Sequence, residues 1–156
     1  MNDKAFLYAR SNAAPFEKLR TWARDHETQS DDDADAYLKA VSYIGVMYKG
    51  IREGFDSTNA TARRIMAMSS VMPDRWTEML EERRPRALAM LMHVFACGEL
   101  IAKENFWFRG IAKTQIPRLC KGLPVAWQPM VAWPLRVTEG DVGSEPVETK
   151  VGADEL

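Results

Sequence analysis

Residues 85–103 decide the fold: Pro85-Arg86-Ala87-Leu88-Ala89-Met90-Leu91-Met92-His93-Val94-Phe95-Ala96-Cys97-Gly98-Glu99-Leu100-Ile101-Ala102-Lys103. Proline suits a first helical position, because the N–H it lacks would have no partner there. Leu88, Leu91, Met92, Phe95 and Leu100 form an inner stripe at helical spacing. The span from Ala87 to Gly98 is almost continuously apolar, which predicts burial on most sides. Ala87, Ala89, Ala96, Gly98 and Ala102 are small enough for close helix packing.

Working upstream, Ser57-Thr58-Asn59 is a cap cluster before a strongly apolar helix, Ala60 to Val71, that Pro73 breaks. Asp74 then opens a short helix with Trp76, Met79 and Leu80 on one side and Glu78, Glu81 and Glu82 on the other. Further back, Leu38, Val41, Ile44, Gly45, Tyr48, Ile51, Arg52 and Phe55 recur at three- and four-residue steps. That pattern predicts a helix from about Asp33 to Glu53, ending near Gly54. Pro15 starts another, on which Phe16, Leu19, Trp22 and Ala23 share a face. The turn around Phe6-Leu7-Tyr8 suggests a separate short helix.

Working downstream, a last helix is expected over Phe106 to Leu119, with Pro117 kinking or ending it. Pro124, Pro129 and Pro134 then allow only short helical turns, and Trp127 and Trp133 anchor that segment on the bundle. From Thr138 to Leu156 the acids Glu139, Asp141, Glu145, Glu148, Asp154 and Glu155 face Lys150 alone, the composition of a disordered tail. No stretch alternates as a strand does. The chain reads as all-α: a compact bundle of about five to seven helices around an apolar pocket in residues 1–137, with a disordered acidic tail in 138–156.

Composition narrows the function by exclusion. The chain has 156 residues, 46% hydrophobic and 28% charged, with a net charge of −1. That balance suits one soluble domain and gives no general basic footprint for nucleic acid. Two cysteines, Cys97 and Cys120, make neither a disulfide framework nor a zinc cluster. No apolar run reaches the roughly 18 residues of a membrane span, and residues 1–14 lack the apolar core of a signal peptide. A cytoplasmic location is expected. The terminal Ala-Asp-Glu-Leu is only a weak echo of a retention signal. Asp31, Asp32, Asp33 and Asp35 read as a solvated helix start complementing the dipole, since the Gly and Glu of a calcium loop do not follow. Phosphate loops, dinucleotide fingerprints, nucleophile elbows and zincin motifs are absent, so no metal and no cofactor is expected.

From Pro73 onward the order of features becomes specific. Met72-Pro73-Asp74 is followed by Glu81-Glu82-Arg83-Arg84-Pro85-Arg86-Ala87-Leu88, then Phe106-Trp107-Phe108-Arg109-Gly110, then Leu123-Pro124. Trp127-Gln128-Pro129-Met130-Val131-Ala132-Trp133-Pro134 closes the series. This order resembles the C-terminal part of the ligand-binding regulatory domain of fungal zinc-cluster transcription factors of the sterol-sensing type. The match covers about 60 residues well, with weaker support back to the Tyr37-Leu38 helix. The resemblance implies an all-helical domain around an apolar small-molecule pocket, with a sterol as the typical ligand. Two features depart from the family: the six-cysteine DNA-binding cluster is missing, and the chain is short for a full regulatory domain.

Two functions follow. One is a cofactor-free fungal biosynthetic enzyme that holds an isoprenoid- or polyketide-like molecule for cyclisation, pericyclic reaction or isomerisation. The other is a non-catalytic sterol- or terpenoid-binding regulatory module, nuclear in that case. Tyr48 and His93 are the candidate hydrogen-bond donors for catalysis. Tyr43, Met47, Met66, Met92, Phe106, Trp107 and Trp127 are the candidate pocket wall, methionine being adaptable to irregular apolar ligands. The expected partner is a small hydrophobic molecule, with a homodimer as a further expectation. Arg83, Arg84 and Arg86, offset by Glu81 and Glu82, read as a solvated helix junction.

Overall fold

In the computed structural model the described residues are 15–23, 26–55, 57–103, 108–143 and 145–146. Phe6-Leu7-Tyr8, Phe106, Trp107 and 147–156 lie outside them. The described chain is all-helical: α1 (Glu17–Thr21), α2 (Asp31–Glu53), α3 (Thr58–Val71), α4 (Asp74–Glu81), α5 (Pro85–Leu100), α6 (Ile111–Lys121), a 3-10 helix (Val125–Val131) and α7 (Ala132–Thr138).

Helix α5 is the axis. It packs against α1, α2, α3, α4, α6, the 3-10 helix and α7. Its apolar run explains this, because Ala87, Leu88, Ala89, Met90, Met92, Val94, Ala96 and Cys97 are all buried. Gly98 earns its place on the side facing α6. A Cβ there would come within 3.3 Å of the Phe108 ring. The helix ends at Leu100, three residues before the expected Lys103, and Ile101–Lys103 continue as turns.

Helix α2 starts at Asp31, two residues earlier than its apolar periodicity suggests. The Ser30 hydroxyl accepts from the Asp33 N–H at 3.1 Å, and the Ser30 N–H donates to Asp33 Oδ2 at 3.2 Å. This reciprocal capping box satisfies two donors that an uncapped end would leave open. The other end stops at Gly54, whose φ of 71° is left-handed and whose N–H donates to Gly50 O. Helix α3 is capped by the Ser57 hydroxyl, which accepts from the Ala60 N–H at 3.1 Å.

Two segments differ from the sequence-based expectation. Helix α6 begins at Ile111 after left-handed Gly110, not at Phe106, and it continues through Pro117 to Lys121. Proline removes one donor, but the surrounding turns hold. Beyond Thr138 the chain does not leave the fold at once. Arg52 Nη2 donates to Val142 O at 3.2 Å, Arg136 Nη2 donates to Glu145 O at 3.3 Å, and Pro146 is buried. Backbone acceptors on this stretch, invisible to a reading by composition, tie it down. No helix among the described residues is long and apolar enough to cross a membrane.

Candidate functional site

The polar residues around the start of α5 form the most built-up charged cluster of the described chain. Asp33, fixed by the capping box, is buried at the start of α2. Its Oδ1 accepts from Arg75 Nε on α4 at 2.5 Å, and its Oδ2 accepts from Arg84 Nη1 at 3.0 Å. Burial alone would raise the Asp33 carboxyl. The hydrogen bonds from Arg75, Ser30 and Arg84 outweigh it and hold the carboxyl well below the usual carboxylate range. Arg75 also reaches Glu82 at 2.7 Å and Glu78 at 3.2 Å, and Arg84 Nε reaches Glu82 at 2.7 Å.

Glu27 joins this cluster from the loop before α2. Its Oε2 accepts from the Tyr37 hydroxyl at 2.5 Å and from Arg84 Nη1 at 3.3 Å, while its Oε1 accepts from Arg86 Nε at 2.8 Å. Burial and the neighbouring Glu27 charge push the Tyr37 phenol up. Arg86 is 0% exposed. Its Nη1 donates to Leu19 O at 2.8 Å, and its guanidinium lies 5.0 Å from the Trp127 ring and 5.7 Å from the Tyr37 ring. Its Nη2 is buried without a hydrogen-bond partner. The reading of Arg84 and Arg86 as a solvated junction is therefore corrected. Arg86 is fully desolvated, and the Glu27 carboxylate and two aromatic faces offset the cost of burying its charge.

A cleft of about 270 Å³ opens beside this cluster. Trp127, Pro85 and Ala23 give it an apolar lining, while His26, Glu27, Thr28 and Arg84 supply polar groups. The wall residue Ala23, at φ 51°, and Arg83, at φ 57° just before the wall residue Arg84, are non-glycine residues in the left-handed region. Such conformations cost on the order of 1 kcal/mol each, so the turns at the end of α1 and between α4 and α5 are held by their surroundings. Trp22 contributes by donating its Nε1–H to Ala126 O at 3.0 Å, which ties the end of α1 to the 3-10 helix.

Two other cavities have different characters. One of about 70 Å³ is lined by apolar residues of α3, α5, Phe108 and Ile111. One of about 380 Å³ lies between the end of α5 and the turn at Gly140 and Val142. Neither combines an aromatic wall with a buried ion cluster.

The candidate residues read from the sequence fall into four places. Tyr48 and His93 meet in one buried aromatic cluster, but Phe16 and Trp133 fill the space between and around them. The Phe16 ring centroid lies 5.4 Å from Tyr48, 5.5 Å from His93 and 5.9 Å from Trp133. Trp133 in turn lies 5.6 Å from Tyr48 and 5.7 Å from His93. His93 Nδ1 is 2.8 Å from Ala89 O, and because a carbonyl only accepts, that nitrogen carries the proton. Burial lowers the imidazole to about 4, so it is neutral at physiological pH. The Tyr48 hydroxyl accepts from Arg52 Nε at 3.2 Å. None of the three cavities is lined by either residue.

Tyr43, Met47 and Met92 are packed in the core, and the Tyr43 hydroxyl donates to Arg64 O at 2.6 Å. Met66, expected on a pocket wall, is 71% exposed, because it points outward from α3. Phe106 and Trp107 lie outside the described residues. Among the described candidates, Trp127 alone lines the cleft. Sequence reading missed its companions Glu27, Arg84 and Arg86. The available signal was Arg86 itself, a charge in the first turn of an otherwise apolar helix.

No group of three or more His, Cys, Asp or Glu among the described residues is arranged to hold a metal ion. No protein-family model, curated protein or solved structure matches this chain.

Proposed function

We propose that this chain is a non-catalytic helical module that holds one small, mainly apolar molecule in the cleft beside Trp127. The observation that carries the reading is that cleft, where an indole, a proline ring and a methyl group meet a few fixed polar groups. This is the usual make-up of a small-molecule site, with a volume just below the usual range of about 300–1,000 Å³. The resemblance to regulatory domains of fungal zinc-cluster transcription factors points the same way. A catalyst built on Tyr48 and His93 would need substrate space at those side chains, and Phe16 and Trp133 occupy it. That packing favours retention over turnover.

The test is to incubate the purified protein with a panel of sterols, terpenoids and aromatic polyketides, followed by native mass spectrometry and chromatography of the extract. Retention of about one equivalent, chemically unchanged, is expected. Thr28 is exposed at the rim, so Thr28→Trp should block the cleft and lower retention at least tenfold without unfolding the bundle. Conversion of many equivalents into an isomer of the same mass would establish the enzyme reading and overturn this one.

A further inference from the structure

We propose that the cleft at the end of α5 is a second binding site, which takes a small primary ammonium with an apolar tail. It is separate from the cleft beside Trp127 and does not rest on that reading. The observation that carries it is Glu99. Its carboxylate stands in the last turn of the 16-residue α5, where the helix dipole is negative and no basic residue offsets it. Burial adds to that cost. Oε2 is shut off from water and has no hydrogen-bond partner. Oε1 makes no hydrogen bond either and keeps contact with solvent, and no ion pair joins Glu99 to a described residue. A carboxylate taken partly out of water is ordinarily paired. Here the dipole, the burial and the missing donor all act against one charge, and a cation relieves all three.

Glu99 is itself a wall of the cleft, so a ligand can approach it. The volume of about 380 Å³ is that of a small-molecule site. The other walls select the ligand. Leu100, Ala102 and Val142 are apolar, and Lys103 is exposed past the helix end without an ion pair to Glu99. The facing turn is already engaged with itself and with Arg52. The Gly140 N–H donates to Val137 O, the Val142 N–H donates to Gly140 O, and Arg52 Nη2 donates to Val142 O. Acceptance by Glu99 is therefore the polar recognition the cleft offers. A divalent metal needs more protein oxygens than one carboxylate. A quaternary ammonium needs aromatic faces, and the described walls hold none. A primary ammonium donates hydrogen bonds straight to a carboxylate and stays charged at neutral pH, as lysine does. Its carbon chain covers Leu100 and Val142.

The experiment compares 3-methylbutylamine, 3-methylbutanol and 3-methylbutanoate, which put a cation, a neutral hydroxyl and an anion on one branched chain. Each is titrated into the full chain at neutral pH and followed by calorimetry and by NMR. The amine should bind at least about tenfold more tightly than the alcohol or the acid. It should shift the backbone amides of Gly140 and Val142 and leave the Trp127 indole unmoved. Glu99→Gln keeps the shape and removes the charge, so it should bring the amine down to the affinity of the alcohol. It also removes an unpaired acid from a negative helix end, so its urea midpoint should equal or exceed that of the unmodified protein. A loss of binding then reports the charge and not the fold. An amine preference that survives Glu99→Gln overturns the proposal, as do amine-induced shifts at Trp127 in place of Gly140 and Val142. Equal binding of all three compounds, no binding of the amine, or a lowered midpoint for Glu99→Gln overturns it as well.

Discussion

His93 illustrates what burial does to a titratable side chain. Unfolded, its imidazole takes a proton near pH 6.5; folded, it does so only at about 4. Between those values the unfolded chain binds more protons, so stability falls as pH falls from about 6.5 to 4 and this group adds no further loss below that. A shift of this size is worth about 3 kcal/mol. Asp33 acts later and with the other chemistry. Its carboxyl is held below the ordinary value of 3.8, so its contribution is present above that value and is lost as the pH falls beneath it. Urea unfolding at pH 7 and pH 4.5 should show the His93 part as a drop in midpoint, and His93→Phe should flatten it. At this scale the sequence was legible for bulk and illegible for partners. Tyr48 and His93 stand out as polar groups on apolar helices, but their neighbours Phe16 and Trp133 come from opposite ends of the chain. Cys97, buried beside them on α5, has its thiol pushed up to about 12 by burial, which leaves it unreactive.

Helices were the legible unit. The periodicity of α2, α3, α4 and α5 locates each of them, and the errors sit at their ends. Ends are set by single hydrogen bonds that periodicity does not register. Ser30 and Asp33 have the spacing of a capping box, and the helix begins where that box puts it. Ser30→Ala should lower stability by about 1 kcal/mol in urea titration, since it opens one N–H at the start of a 23-residue helix. The loss should exceed that of Ser57→Ala, because the Ser30 box also orients the carboxylate that anchors Arg75 and Arg84. The segment after α5 was least legible. Phe106-Trp107-Phe108 reads as the start of a helix, whereas Gly110 in a left-handed conformation delays α6 to Ile111. The Glu27–Arg84–Arg86 part of the candidate site was missed for a related reason. It is assembled from a loop (Glu27), the turn between α4 and α5 (Arg84) and the first turn of α5 (Arg86), and only the last of these lies where periodicity could flag it.

The whole molecule is organised around one helix, so its parts should not unfold separately. With α5 in contact with every other helix, circular dichroism and tryptophan fluorescence should report a single coincident transition in urea. Phe16, 2% exposed at the edge of the five-residue α1, is the strongest probe of that unity. Phe16→Ala should cost about 3–5 kcal/mol and leave the midpoints of both signals together. The tie between Trp22 and Ala126 spans 104 residues of chain. During synthesis at roughly 5–20 residues per second, α1 emerges on the order of 5–20 s before the surface that receives it. Through that interval Phe16 can meet Tyr48 and then His93, but not Trp133, so its surroundings stay incomplete. The ring of Phe16 therefore waits, half-housed, for a wall that is made more than a hundred residues after it.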